Sequence, residues 1–444
     1  MKRSRSFEDR TISKVAMRFM PFLTIAYFFA SLDRVNVGFA AFQMNREVGL
    51  SPSAFGLGAG LFFIAYCLFA VPCNLMMEKI GARRWLSTVM IAWGSVAVCM
   101  SLVTGPTSFY LLRFLLGVAE AGFFPGVIFY FTLWFPGKYR SQMVAILMMA
   151  LPVSSVLGSP VSAALLLTDG LLGIGGWRWL FIIEGAPAIL MGLCCALVLP
   201  RTIKSAKFLS TNEQNWLTNQ LASEDKKRGS GKEIPFWSVM FNRKLLALTL
   251  VYIGGTSVTN GLALWQPQIL SGVGLTTMQV GLLNAVPFAL GSVGMYLWGR
   301  HSDRTGERIM HTALPLAIGA IGLTAAMFVH SLGAMIAVLC VTVTAASMIK
   351  GPFWALATEM SSKSSAAVVI GQISSLNNIG VFGGTYLIGA IKEATGSFRF
   401  ALTPFLVISV LACVTSLWLG RAARRESQES AFLISNVSVK GTTL

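Results

Sequence analysis

The chain alternates long apolar runs with short charged connections, and the length of the runs is the first informative quantity. A helix needs roughly 20 apolar residues to cross the hydrocarbon core of a bilayer. Twelve stretches reach that length: 17–40, 54–77, 86–104, 109–134, 140–167, 177–199, 244–269, 277–299, 310–330, 332–357, 364–390 and 398–420. The pattern predicts an all-α membrane protein of twelve transmembrane helices. One polar interruption, 200–243, divides it into an N-terminal six-helix bundle with its tail, 1–199, and a C-terminal six-helix bundle, 244–420. Inside the interruption, Ser210-Thr211-Asn212-Glu213 reads as a capping box that opens a short amphipathic helix through Trp216, Leu217 and Leu221, lying on the membrane surface. Glu224 to Gly231 reads as flexible linker, and 421–444, polar and Ser-rich, as a disordered tail.

Composition agrees and adds an orientation. Of 444 residues 55% are hydrophobic and 12% charged, and the mean hydropathy is +0.68, which excludes the soluble and disordered classes. The net charge of +17 falls in clusters between the runs, without a basic face or a nucleic-acid motif, so it predicts anchoring to an anionic membrane surface and no nucleic-acid partner. Lys and Arg number 27 in the N-terminal tail, the connections on its side and the Arg421, Arg424 and Arg425 cluster, against four (Arg46, Arg178, Lys392 and Arg399) in the alternate connections. That bias places both termini on the cytoplasmic side of the cell membrane and requires an even number of spans. The first run continues through Asp33 to Ala40 without a cleavage site, so it is read as a retained span. The seven cysteines lie within apolar runs and read as packing residues; His301, His311 and His330 form no ligand pair in the sequence, and no metal is expected.

Two runs contain groups that lipid tolerates poorly. Ser31-Leu32-Asp33-Arg34-Val35-Asn36 lies in the first, and Arg113 and Glu120 lie in the fourth. A charge at membrane depth costs about 3 kcal/mol or more unless it is paired or faces water, so such groups mark a pathway. Arg113 and Glu120 are close to two turns apart and share a face, separated by about 10 Å along the axis. Gly117, Gly122 and Gly126 among them allow close approach of a neighbouring helix. Competition between a proton and Arg113 for Glu120 would make a switch; the bland alternative is a packing face with a snorkelling arginine. Asp33 and Arg34 point roughly 100° apart and face different partners. Arg34 can offer its planar fork to a carboxylate. Tyr66, Gln372, Asn377 and Asn378 can read substrate hydroxyls, or serve as interhelical glue. Lys350 reads as snorkelling, and Glu184 as bracing the sixth span.

An internal repeat ties the halves together. Asn74, Glu78, Lys79, Gly81 and Arg83 recur 225 positions later as Gly299, Asp303, Arg304, Gly306 and Arg308, and four of the five pairs keep their chemistry. Two six-helix halves on one plan are the design of secondary transporters. The pattern Gly-x-x-x-Asp-Arg-x-Gly-x-Arg, complete at 299–308 and degenerate at 74–83, resembles the loop signature of the major facilitator superfamily. Leu32-Asp33-Arg34-Val35-Asn36-Val37-Gly38-Phe39-Ala40, the stretch from Arg113 to Gly126, and Gly81-Ala82-Arg83-Arg84-Trp85 look like its anion:cation symporter family.

That resemblance implies the major facilitator fold, with two pseudo-symmetric bundles, and proton-coupled uptake of a small organic anion. It implies Asp33 and Glu120 as proton carriers and Arg34 as a substrate ligand, with Arg113, Tyr66, Gln372, Asn377 and Asn378 beside it. A hydroxylated carboxylate such as tartrate or a sugar acid is the expected cargo, an aromatic carboxylate the alternative. Glu78, Arg83, Arg84, Asp303, Arg304 and Arg308 are read as gates. The proton is the coupling ion, no other cofactor is expected, and nothing demands a partner chain, so a functional monomer is expected. A proton-coupled exporter is the rival; against it, Gly158-Ser159-Pro160 lacks the fuller Gly/Pro pattern of superfamily antiporters. An enzyme is disfavoured because no metalloprotease, Ser/His or dinucleotide motif occurs.

Overall fold

The computed structural model describes residues 6–228, 242–359 and 366–440, so the last residues of the expected linker lie outside it. The helix α1 (Phe7–Glu47) starts well before the first apolar run, because Ser6 Oγ accepts the Asp9 N–H at 3.1 Å and acids occupy the first turn. It is followed by α2 (Pro52–Ile80), α3 (Ala82–Cys99), α4 (Pro106–Glu120), α5 (Phe123–Trp134), α6 (Gly137–Met148), α7 (Ala150–Leu166), α8 (Gly176–Val198) and the linker helix α9 (Thr211–Arg228). Then come α10 (Arg243–Ser271), α11 (Thr277–Thr305), α12 (Ile309–Ala326), α13 (Leu332–Met348), α14 (Lys350–Glu359), α15 (Ala366–Thr395) and α16 (Thr403–Lys440).

Among the described residues, eleven helical stretches are long and apolar enough to cross a membrane. The remaining expected span is α15, which is 30 residues long. Gln372, Ser374, Ser375, Asn377 and Asn378 dilute its hydropathy.

Three expected spans are not continuous helices. The fourth breaks after Glu120, the fifth at Met149 and the tenth at Ile349. In each case a proline, Pro125, Pro152 or Pro352, follows the break within four residues. Its ring clashes with the carbonyl four residues back and it donates no hydrogen bond there, so the chain kinks at that point. The tail also differs from expectation: α16 runs on through Lys440, since no Gly or Pro stands between Gly420 and Gly441 to stop it.

The repeat is visible in the backbone. Gly81 and Gly306 end α2 and α11 with φ of 87° and 67°, donating to Met77 at 2.8 Å and Ser302 at 3.0 Å. Gly49 and Gly274, again 225 apart, end α1 and α10 with φ of 70° and 81°. A positive φ favours glycine, which has no Cβ to collide.

By internal packing the chain forms two units. The first comprises Met1–Glu233, Asn260–Ala289 and Asn378–Ala401, and the second Ile234–Thr259, Leu290–Asn377 and Leu402–Leu444. The division therefore cuts through α10, α11 and α15 instead of following the 200–243 connection. Segments of these helices join the first unit through specific contacts: Asn284 Nδ2 donates to Ser159 Oγ at 2.8 Å, Ser53 N–H to Glu393 Oε2 at 2.9 Å, and Trp265 meets Phe55 edge-on at 5.0 Å. The first unit is filled by aromatic side chains, Phe19 against Trp134 at 4.8 Å and Trp93 against Phe123 at 4.9 Å. The second is filled by an aliphatic cluster that includes Leu248, Val251, Leu316, Ile349, Phe353 and Ile373.

Candidate functional site

Small residues bring the site's helices together. A methyl group at Gly117 would collide with the Phe62 carbonyl, so α4 and α2 approach as closely as backbones can. Trp85 Nε1 of α3 donates to the Gly122 carbonyl at 3.0 Å, which occupies the backbone freed where α4 ends. Glu120 stands on the last residue of α4, at that break.

The first unit gathers Arg34, Tyr66 and Arg113 around Phe62, with Glu120 paired to Arg34. Arg34 Nε donates to Glu120 Oε1 at 2.6 Å, and its Nη2 contacts the same oxygen. The side chain of Glu120 is fully buried and that of Arg34 is 22% exposed. The sequence expectation paired Glu120 with Arg113 along one helix face. Here Arg34 reaches Glu120 from α1, while Arg113, two turns back along α4, turns onto α2: its Nη2 donates to the Ala59 carbonyl at 3.3 Å and its guanidinium lies 5.1 Å from the Phe62 centroid. Arg34 lies 5.7 Å from the same ring and 5.1 Å from that of Tyr66. Arg113 is 0% exposed, and its Nε and Nη1 have no acceptor among the described residues; Glu120 Oε2 is likewise buried without a donor.

Asp33 faces away from Arg34, as its neighbouring position requires. Trp93 Nε1 donates to its Oδ2 at 2.8 Å and Asn36 Nδ2 to its Oδ1 at 3.3 Å. Glu184 of α8 is 2% exposed and accepts the Ser162 hydroxyl at 2.7 Å. Sequence reasoning assigned no role to Trp93 or Phe62, because an aromatic residue inside an apolar run carries no distinguishing signal.

Gln372 and Asn377 belong to the second unit, where the Thr256 hydroxyl donates to Asn377 Oδ1; Gln372 is buried. Asn378 opens the last segment of the first unit. Lys350 starts α14 at the break in the tenth span.

The residues read as gates lie at helix ends. Arg83 donates to the Ala196 carbonyl of α8. Arg308 Nη1 donates to Asp303 Oδ1 at 2.7 Å and Ser302 Oγ at 3.0 Å, an ion pair inside one loop. Glu78, Arg84 and Arg304 are exposed. His301 and His311, ten residues apart, meet here, with Nδ1 of the first 2.7 Å from Nε2 of the second, and His311 Nδ1 lies 2.8 Å from Glu307 Oε2. Partial burial disfavours the Glu307 carboxylate, but the Met310 N–H and His311 outweigh it and hold the carboxyl below its usual range. No group of three potential metal ligands occurs among the described residues.

Comparison with known proteins adds the following. A family model described as Major Facilitator Superfamily matches residues 23–385. Two Agrobacterium vitis proteins with tartrate transporter in their names are 43% and 42% identical, over 94% and 95% of this chain and 96% and 93% of theirs. An Acinetobacter baumannii protein named quinolone resistance transporter is 35% identical over 95% of this chain and 98% of its own. Among solved structures, a D-xylose-proton symporter superposes with a TM-score of 0.70 at 16% identity, covering 91% of this chain and 97% of that one, a likeness of fold.

Proposed function

Because this chain belongs to the major facilitator superfamily and is a membrane transporter, not an enzyme, we propose that it carries a small organic anion together with protons. Arg113 carries the reading: a fully buried guanidinium with two unfilled donors beside an arginine already paired to an acid. Burying a cation without a partner is costly, so the pocket is suited to an anion that supplies the missing charge and acceptors.

In the proposed cycle a proton on Glu120 competes with Arg34. Protonation releases the Arg34 fork, and both guanidiniums then face a carboxylate, with Asp33 as a second acid in the coupling. Return of the proton to water on the other side lets Arg34 and Glu120 pair again and expels the anion. The charge bias of the connections supports cytoplasmic termini in the cell membrane. The names of the two Agrobacterium relatives support tartrate or a related hydroxylated acid as cargo. Glu120→Gln in proteoliposomes is expected to abolish uptake driven by a pH gradient while leaving counterflow exchange; pH-driven uptake intact in the variant would refute the scheme. Export is the second reading, favoured by the name of the Acinetobacter relative. Adding tartrate to cells should alkalinise the medium under symport, and cargo release coupled to proton entry should be seen under export.

A further inference from the structure

Glu184 has no part in the cycle above, yet its surroundings are those of a working acid. The Asn36 amide donates to Asp33 Oδ1 at 3.3 Å, whereas Glu184, 2% exposed, takes the Ser162 hydroxyl of α7. Asp33 has a donor on each oxygen, Asn36 and Trp93, as an ionised carboxylate does. Glu184 does not. Ser162 serves Oε1 at 2.7 Å, while Oε2 is buried without a donor, and Asn36 Oδ1 is a second buried acceptor without one. Neither acid makes an ion pair among the described residues.

Two buried carboxylates in one low-dielectric interior repel each other, and a buried acceptor left without a donor is unfavourable. One proton on Glu184 Oε2 relieves both, by removing a charge and turning an acceptor into a donor. The charged and titratable groups nearby are Asp33 on α1 and, beyond it, Glu120 and Arg113 on α4; α3 and α7 contribute Trp93 and Ser162, neither of which titrates in water's range.

We propose that Glu184 is a proton-binding site of its own, with Ser162 as its positioning residue, separate from the Arg34–Glu120 pair. Its part in transport rests on the symport reading and deepens it: Glu184 takes up a proton on the side where the anion enters and releases it on the other, as Glu120 does, so more than one proton accompanies each anion.

The test uses the full-length protein, first in detergent without substrate. Wild type is expected to show the infrared C=O band of a protonated carboxyl at neutral pH, lost on alkaline titration. Glu184→Gln should lack the band and Glu120→Gln should retain it. Ser162→Ala, which keeps the carboxyl and removes its donor, should move the pH at which the band fades. A band intact in Glu184→Gln, lost in Glu120→Gln instead, or unmoved in Ser162→Ala overturns the assignment. In proteoliposomes carrying a pH dye, with L-tartrate as probe, the proton-to-tartrate ratio of Glu184→Gln should fall by one; an unchanged ratio removes Glu184 from coupling. Tartrate flux without proton movement in wild type would refute symport alone and leave the infrared result to decide on Glu184.

Discussion

Arg34 and Arg113 carry the same charge but different partners, and the partners decide what each can do. Arg34 is committed to Glu120 through two nitrogens on one oxygen, whereas Arg113 keeps Nε and Nη1 unfilled with only the Ala59 carbonyl and the Phe62 face against it. A ring face attracts a guanidinium by about 1–2 kcal/mol when desolvated, too little to replace an anion. Arg113→Gln is therefore expected to weaken tartrate binding by about 2–5 kcal/mol, the usual consequence of removing one partner from a buried charge pair. Calorimetric titration checks this, and a loss of less than tenfold would remove Arg113 from the anion site.

At the scale of elements, the prolines and the linker helix matter most. Pro125 sets the break that leaves Glu120 at a helix end, where the chain is free of the regular ladder. On the N-terminal tail's side, α9 is clamped to α1: Lys14 Nζ lies 2.6 Å from Glu213 Oε1, Ser210 N–H donates to Glu213 Oε2 at 2.8 Å, and Phe7 meets Trp216 edge-on at 6.2 Å. Burial disfavours the Glu213 carboxylate, but Lys14 and Ser210 outweigh it and hold its carboxyl below the usual range. A lowered folded value means that the contribution is complete above the unfolded carboxyl value of about 4.3 and lost as pH falls through the folded one. Lys14 is half exposed, so the contribution is modest, up to about 1 kcal/mol. Hydrogen exchange in α9 is expected to be steady from neutral pH to about pH 5, after correction for intrinsic rates, and to accelerate below about pH 4. Glu213→Gln should abolish that step; an identical step in the variant would assign it elsewhere.

For the whole molecule, the equivalence of the two halves can be tested at their shared helix stops. Gly81 and Gly306 both have a positive φ at equivalent places in the repeat, with open space where a Cβ would stand. Steric collision is thus excluded, and only backbone strain remains. Gly81→Ala and Gly306→Ala should each destabilise by about 1–3 kcal/mol, read as decreases in Tm in detergent. A change confined to one position would mean that the two stops are not structurally equivalent. Exchange between states of similar energy is the basis of transport, so small changes at such places also shift the balance between states.

Sequence alone determined the all-helical membrane class and the approximate places of the spans, because the bilayer imposes a fixed thickness and forbids unsatisfied backbone. It also determined the repeat, the capping box of α9, the family resemblance and the set of intramembrane charges, since those charges are too costly to occur without a use. Residue spacing could not decide which charge meets which. Arg113 and Glu120 share a helix face, yet Glu120 is held by a residue from α1 that lies 86 positions away. Glu184 was read as a brace; its meeting with Ser162 depends on how α7 and α8 pack. The period of a helix dictates direction around its own axis, and only the crossing of helices decides what stands opposite.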